Sequence, residues 1–110
     1  MDKNNYIVVL VTAKDTEEAH DIADALIDQR LAACVNIAAD IDSHYWWRGK
    51  VESAEESLLI IKSREVLLPK IIEAVKKIHG YEVPEIIALP VVGGDKDYLA
   101  WIDGEATGGS

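Results

Sequence analysis

The apolar positions mark out strands and helices that alternate along the chain. Tyr6 to Ala13 is β-branched and aliphatic at successive rather than alternate positions, which predicts a strand covered on both faces. Asp15 offers an N-cap carboxylate, and Glu18, three residues on, completes a capping box. From there to about Arg30, the residues Ala19, Ile22, Ala23, Leu26 and Ile27 share one helix face. Cys34 to Trp47 reads as a long second strand, interrupted or bent near Ala39-Asp40. Arg48-Gly49 turns the chain and Lys50-Val51-Glu52 begins the return. The acidic stretch Ser53-Ala54-Glu55-Glu56 predicts an irregularity before Ser57 to Lys62 completes the third strand.

A second helix is expected over Val66 to His79, with Pro69 in its first turn, where its missing N–H costs nothing. Leu68, Ile71, Ile72, Val75 and Ile78 form its inner face, and Gly80 stands at the C′ stop position. Glu85 to Val92 is the fourth strand. Gly93-Gly94-Asp95 then turns the chain into a short helix, Lys96 to Asp103, and Gly104 to Ser110 reads as a frayed tail.

The order β-α-β-β-α-β with a short C-terminal helix is the ferredoxin-like split βαβ arrangement, an α+β sandwich forming one domain over residues 1–110. That topology puts both long helices on one face of the sheet. Strands one, three and four are nevertheless apolar on both faces, and one of the adjacent Trp46 and Trp47 must point away from the helices. A monomer would expose a large apolar patch, so the pattern predicts self-association, most simply in a closed ring.

Charge and cysteine use narrow the partners. Twenty acidic against 11 basic residues give a formal charge of −9, which repels nucleic-acid phosphates and anionic lipid. The longest apolar run, Ile7 to Val11, is far too short to span a membrane, and the start Met1 to Asn5 lacks an apolar signal core. A single cysteine, Cys34, excludes an internal disulfide and fits a reducing cytoplasm. Neither nucleic acid nor membrane is an expected partner, and the expected location is cytoplasmic.

No enzyme signature is present: G-x-S-x-G, H-E-x-x-H, C-x-x-C and a glycine-rich phosphate loop are all missing. Cys34 enters a strand as a small core thiol. His20 and Asp24 stand four apart on an exposed helix face. His79 ends the second helix, where an imidazolium suits the helix dipole. Its other reading is a metal contact, because Tyr81, Glu82 and Glu85 follow directly. Glu85 opens an apolar strand and Lys62 closes one, so each is either paired or offered to a ligand.

Taken together, several stretches resemble one family, the CutA or divalent-cation tolerance proteins. They are Val8 to Ala13, Arg30 to Asn36, Tyr45-Trp46-Trp47-Arg48-Gly49-Lys50-Val51, Lys62-Ser63-Arg64, His79-Gly80-Tyr81-Glu82-Val83-Pro84-Glu85-Ile86 and Asp97 to Trp101. Six motifs in register cover nearly the whole chain. The resemblance implies a ferredoxin-like homotrimer linked to tolerance of divalent cations, with copper as a possible ligand, no required cofactor and no established catalytic reaction. It places Tyr45, Trp47, Lys62, Tyr81 and Trp101, with His79 and Glu85, along clefts between subunits. Copper-linked members can carry a cysteine before the Thr-Ala pair and a His-His pair ending helix two. Val11 and Ile78-His79 stand there in this chain, which leaves His79 with Glu82 and Glu85 as the metal candidates. A PII-like sensor with a small molecule in the intersubunit clefts is the alternative.

Overall fold

A computed structural model describes residues 5–109. The polar start, Met1 to Asn4, and the last residue, Ser110, lie outside the described residues. The elements run β1 (Tyr6–Ala13), α1 (Thr16–Asp28), β2 (Cys34–Trp47), β3 (Lys50–Arg64), a short 3₁₀ turn (Glu65–Leu67), α2 (Leu68–Ile78), β4 (Ile86–Pro90) and α3 (Lys96–Glu105). The four strands form one sheet in the order β2-β3-β1-β4, and every neighbouring pair is antiparallel. This is the ferredoxin-like arrangement expected from the element order.

β1 is central because it pairs along its length with β3, from Tyr6↔Arg64 to Ala13↔Ser57, and with β4 from Ile7↔Pro90 to Val11↔Ile86. Its odd-numbered residues and those of β3 face the helices. Val9, Val11, Leu59 and Ile61 meet Ile22 and Leu26 of α1 and Ile71 and Val75 of α2, and all eight are fully buried. Burying each such side chain contributes about 1.5–3 kcal/mol, so this layer sets the fold. Ile27, expected on the inner face of α1, is instead 44% exposed. It lies one residue before the end of the helix.

One local expectation is met and three are corrected. The bend near Ala39-Asp40 is a bulge: between Ala38↔Leu58 and Ile41↔Glu56, β2 uses one more residue than β3. Asp40 takes φ 60° there, a left-handed conformation that Asp tolerates. β3 itself is unbroken through Ser53 to Glu56, because the bulge absorbs the mismatch on the partner strand. Secondly, α1 closes on Arg30 at φ 59°. The Leu31 amide reaches back to the Leu26 carbonyl at 2.9 Å in a Schellman-type end. Gly80, expected to end α2 in a left-handed conformation, does not do so; His79 is extended, with φ −65° and ψ 135°.

The third correction concerns the tail. α3 continues to Glu105 and Ala106 is fully buried. Arg64 donates its Nε–H to the Ala106 carbonyl at 2.8 Å, and the Gly108 amide donates to the Arg30 carbonyl at 2.8 Å. Arg30 also pairs with Glu105 at 2.7 Å. The segment 104–109 is therefore docked rather than frayed, because it supplies partners to groups that the end of α1 leaves open.

Beyond Ile41 and Glu56 the β2–β3 hairpin pairs only with itself, out to Trp47↔Lys50. Seven residue pairs at about 3.3 Å per residue make an arm roughly 23 Å long, and the domain is correspondingly elongated, 46 × 26 × 22 Å.

Glycine substitutions check the docking of the tail. Gly49 and Gly108 both have positive φ, but a Cβ at Gly49 meets open space whereas one at Gly108 lies 2.9 Å from Leu67 Cδ2. Gly49→Ala is expected to cost only the backbone strain, about 1–2 kcal/mol. Gly108→Ala should cost about 1 kcal/mol more through overpacking, measured by chemical denaturation. Equal losses would show that the tail is not packed on Leu67.

Candidate functional site

The ends of β1, α1 and α2 meet at one polar knot. Glu18, in the first turn of α1, is only 6% exposed. Asp15 Oδ1 accepts the Glu18 N–H at 2.9 Å, which is half of the expected capping box. The other half is altered. Glu18 Oε1 accepts the Lys14 N–H at 3.1 Å and its Oε2 accepts the Gly80 N–H at 2.9 Å. A Cβ on residue 80 would come within 3.2 Å of that same oxygen. Glycine thus eases the close approach of a carboxylate here and is not called for by φ.

His79 lies directly beneath. Its side chain is fully buried, and Nε2 is 2.6 Å from the Thr12 carbonyl. A carbonyl only accepts, so Nε2 carries the proton. Nδ1 accepts the Tyr81 N–H at 3.1 Å, which requires its lone pair. Both nitrogens are therefore used within the chain, in the neutral form, with Glu18 Oε1 3.9 Å from Nδ1. The helix-dipole cap expected of an imidazolium is replaced by a tie between β1 and the segment after α2.

That tie aims Tyr81. Its ring lies 4.8 Å from the His79 ring at 59°, and its hydroxyl donates to Glu56 Oε2 at 2.7 Å. Burial, reinforced by the bond to Glu56 and its charge, pushes the Tyr81 hydroxyl well above its ordinary value of 10.0. It stays a proton donor. Glu56, where the arm leaves the sheet, is only 6% exposed.

Between the arm and residues 80–85 opens a cleft of about 850 Å³. Thr12, Glu56 and Tyr81 line it together with Tyr45, Trp46 and Trp47 of the arm and Glu82 and Glu85 of the loop. Arg48, at the arm's tip, pairs with Glu82 at 2.8 Å and lies 5.3 Å from the centre of the Trp47 ring.

Of the residues singled out in the sequence, Tyr45, Trp47, Tyr81, Glu82 and Glu85 converge on this cleft, with His79 holding the loop that carries three of them. Lys62 and Trp101 do not reach it within one chain. Lys62 lies six residues from Glu56 along β3, about 20 Å away, and hydrogen-bonds Asn36. Trp101 packs on Tyr98 at 5.5 Å. Burial and the neighbouring Cys34 thiol push the Tyr98 hydroxyl up. A Lys62–Glu85 pair does not form, since β1 lies between β3 and β4. Sequence reasoning missed Glu56, whose place in an acidic run hid it, and Glu18's reach to Gly80. Among the described residues no group of three or more His, Cys, Asp and Glu side chains is arranged to hold a metal ion.

The family model "CutA1 divalent ion tolerance protein" matches residues 7–105. The chain belongs to the CutA family. It is 52% identical over 96 residues to the chloroplastic CutA 1 of Oryza sativa subsp. japonica, covering 87% of this chain and 54% of that protein. The chain thus spans about half the length of this plant relative. The divalent-cation tolerance protein CutA of Thermus thermophilus is 47% identical over 95 residues, covering 86% and 92% of the two chains. The crystal structure of CutA1 from Oryza sativa superposes with a TM-score of 0.89 at 50% identity, covering 92% and 93%. The structure of the periplasmic divalent cation tolerance protein CutA from Archaeoglobus fulgidus gives 0.89 at 40% identity, covering 92% and 98%.

Tyr81→Phe should leave the buried Glu56 without its donor and destabilise the fold by about 1–3 kcal/mol, as read by denaturation. The raised Tyr81 value also sets a sign. The folded protein keeps a proton that the unfolded chain releases, so this stability is present below pH 10.0 and declines above it. The alkaline decline should be shallower in Tyr81→Phe; an unchanged pH profile would rule out the Tyr81–Glu56 bond as its source.

Proposed function

We propose that this protein is a non-enzymatic, trimeric divalent-cation tolerance factor of the cytoplasm that binds copper or another divalent ion weakly. The observation that carries the cation reading is the cleft itself. Its lining includes three carboxylates, Glu56, Glu82 and Glu85, and no Lys or Arg, on a chain of net charge −9. The donor set does not make a closed three-ligand site within one chain. Direct ligation by His79 would cost it the Thr12 or the Tyr81 hydrogen bond. In this reading the ion sits on Glu85 at the cleft mouth and on Glu82, where it competes with Arg48, and waters or a neighbouring subunit fill its coordination sphere. His79 holds the loop that presents them. Few inner ligands make for weak binding.

The trimer is supported by what a single chain leaves bare. The sheet face away from α1 and α2 carries Val8, Leu10, Leu58 and Ile60, with Ile87 and Leu89 beside them 52% and 48% exposed. The arm is a two-stranded ribbon, which is marginal in water on its own, and it displays Trp46 at 74% exposure. Further copies covering this face would bury both.

Calorimetric copper titration tests the site: the Glu82→Gln, Glu85→Gln double variant should lose most of the heat of binding. An isotherm identical to wild type would remove the cleft mouth as the site. Sedimentation equilibrium tests the assembly. The expected mass is three times that of the 12.1 kDa chain, and Leu89→Glu should shift it toward smaller species.

A further inference from the structure

The cleft has room for a larger cation than a metal ion. A divalent ion needs several oxygen or nitrogen ligands close together, which this cleft does not gather, and it gains little from apolar walls. The cleft offers instead about 850 Å³, the size of an organic-ligand pocket. Tyr45, Trp47 and Tyr81 give it aromatic surface, and aromatic faces attract organic cations. The chain shows how such a cation is received. Arg48 sets its guanidinium 5.3 Å from the Trp47 ring centre while bonding Glu82 at 2.8 Å.

Deeper in, Glu56 is 94% buried by the complement of its 6% exposure. Its Oε2 takes the Tyr81 hydroxyl at 2.7 Å, and no described donor bonds its Oε1. That oxygen is left free to accept from an ammonium group in the cleft, which Glu56 lines. Glu85 adds a second carboxylate to the same cleft, so two ammonium groups on one aliphatic chain would each find a partner.

We infer that the cleft is a binding site for an aliphatic diamine, with one ammonium on Glu56 Oε1, the methylene chain against Tyr45 and Trp47, and the second ammonium toward Glu85. This rests on the reading of the cleft as a cation site, but not on metal binding. Tyr81, held protonated, fixes the orientation of the Glu56 carboxylate. The neutral His79 keeps Tyr81 in place without adding a positive charge that would oppose the ligand.

Calorimetry on the assembled full-length protein with 1,4-diaminobutane, 1,4-butanediol and copper as separate titrants decides it. The diamine should bind saturably and the diol, of similar length but uncharged, should not. Glu56→Gln, which keeps an acceptor for Tyr81, should weaken the diamine by about tenfold or more, equivalent to about 1.4 kcal/mol. Should that variant fail to fold, Glu85→Gln at the exposed rim should weaken it several-fold. Copper binding without diamine binding overturns this inference and leaves the metal reading standing. Diamine binding without copper binding does the reverse. Equal response to diamine and diol, or none to either at millimolar concentration, overturns it as well.

Discussion

The cleft depends on the hydrogen bond from His79 Nε2–H to the Thr12 carbonyl. The β1–β4 ladder stops at Val11↔Ile86. One residue further along, the β1 carbonyl takes an imidazole instead of a strand partner. That exchange takes the place of the β1–β4 ladder, while β1 pairs with β3 as far as Ala13↔Ser57, and it fixes the start of the loop leading to β4. Glu18 secures the same point from α1 through the Gly80 amide. With both ties in place, Tyr81 is set against Glu56, and Glu82, Val83, Pro84 and Glu85 follow as one wall of the cleft. The opposite wall is the arm, which the core leaves without support.

This division explains why one small domain can be firm and open at once. The layer between sheet and helices is fully buried and holds the topology. The other sheet face is apolar and only partly covered, and the arm projects with Trp46 and Val51 exposed. The polar knot sits at the boundary between these regions. A histidine that is neutral and doubly bonded suits that position, since an unpaired buried charge would be costly. Its neighbours, not the imidazole, then present charge to the cleft.

Much of the fold was legible in the sequence because period and punctuation agree there. Continuous apolar runs gave β1 and β3, helical spacing gave α1 and α2, and Ala39-Asp40 marked the bulge. The stretch Ser53 to Glu56 misled because its acidity suggested a break, although the extra residue belongs to the partner strand. The tail misled because glycine-rich composition says nothing about acceptors left open at Arg30. The site was half legible. Spacing alone brought His79, Tyr81, Glu82 and Glu85 together, and adjacent aromatics marked Tyr45 and Trp47. The bonds of His79 and the burial of Glu56 depend on residues 67 and 25 positions away from their partners, a separation that no local pattern records.

The central claim is that His79 serves as a neutral tie rather than as a ligand. Imidazole ¹⁵N NMR of the labelled protein, recorded without and with copper, addresses it most directly. The account predicts a single Nε2–H tautomer with an unprotonated, hydrogen-bonded Nδ1, and the same signals after copper is added. A doubly protonated ring at neutral pH, or loss or displacement of the Nδ1 signal on direct copper coordination, would contradict it.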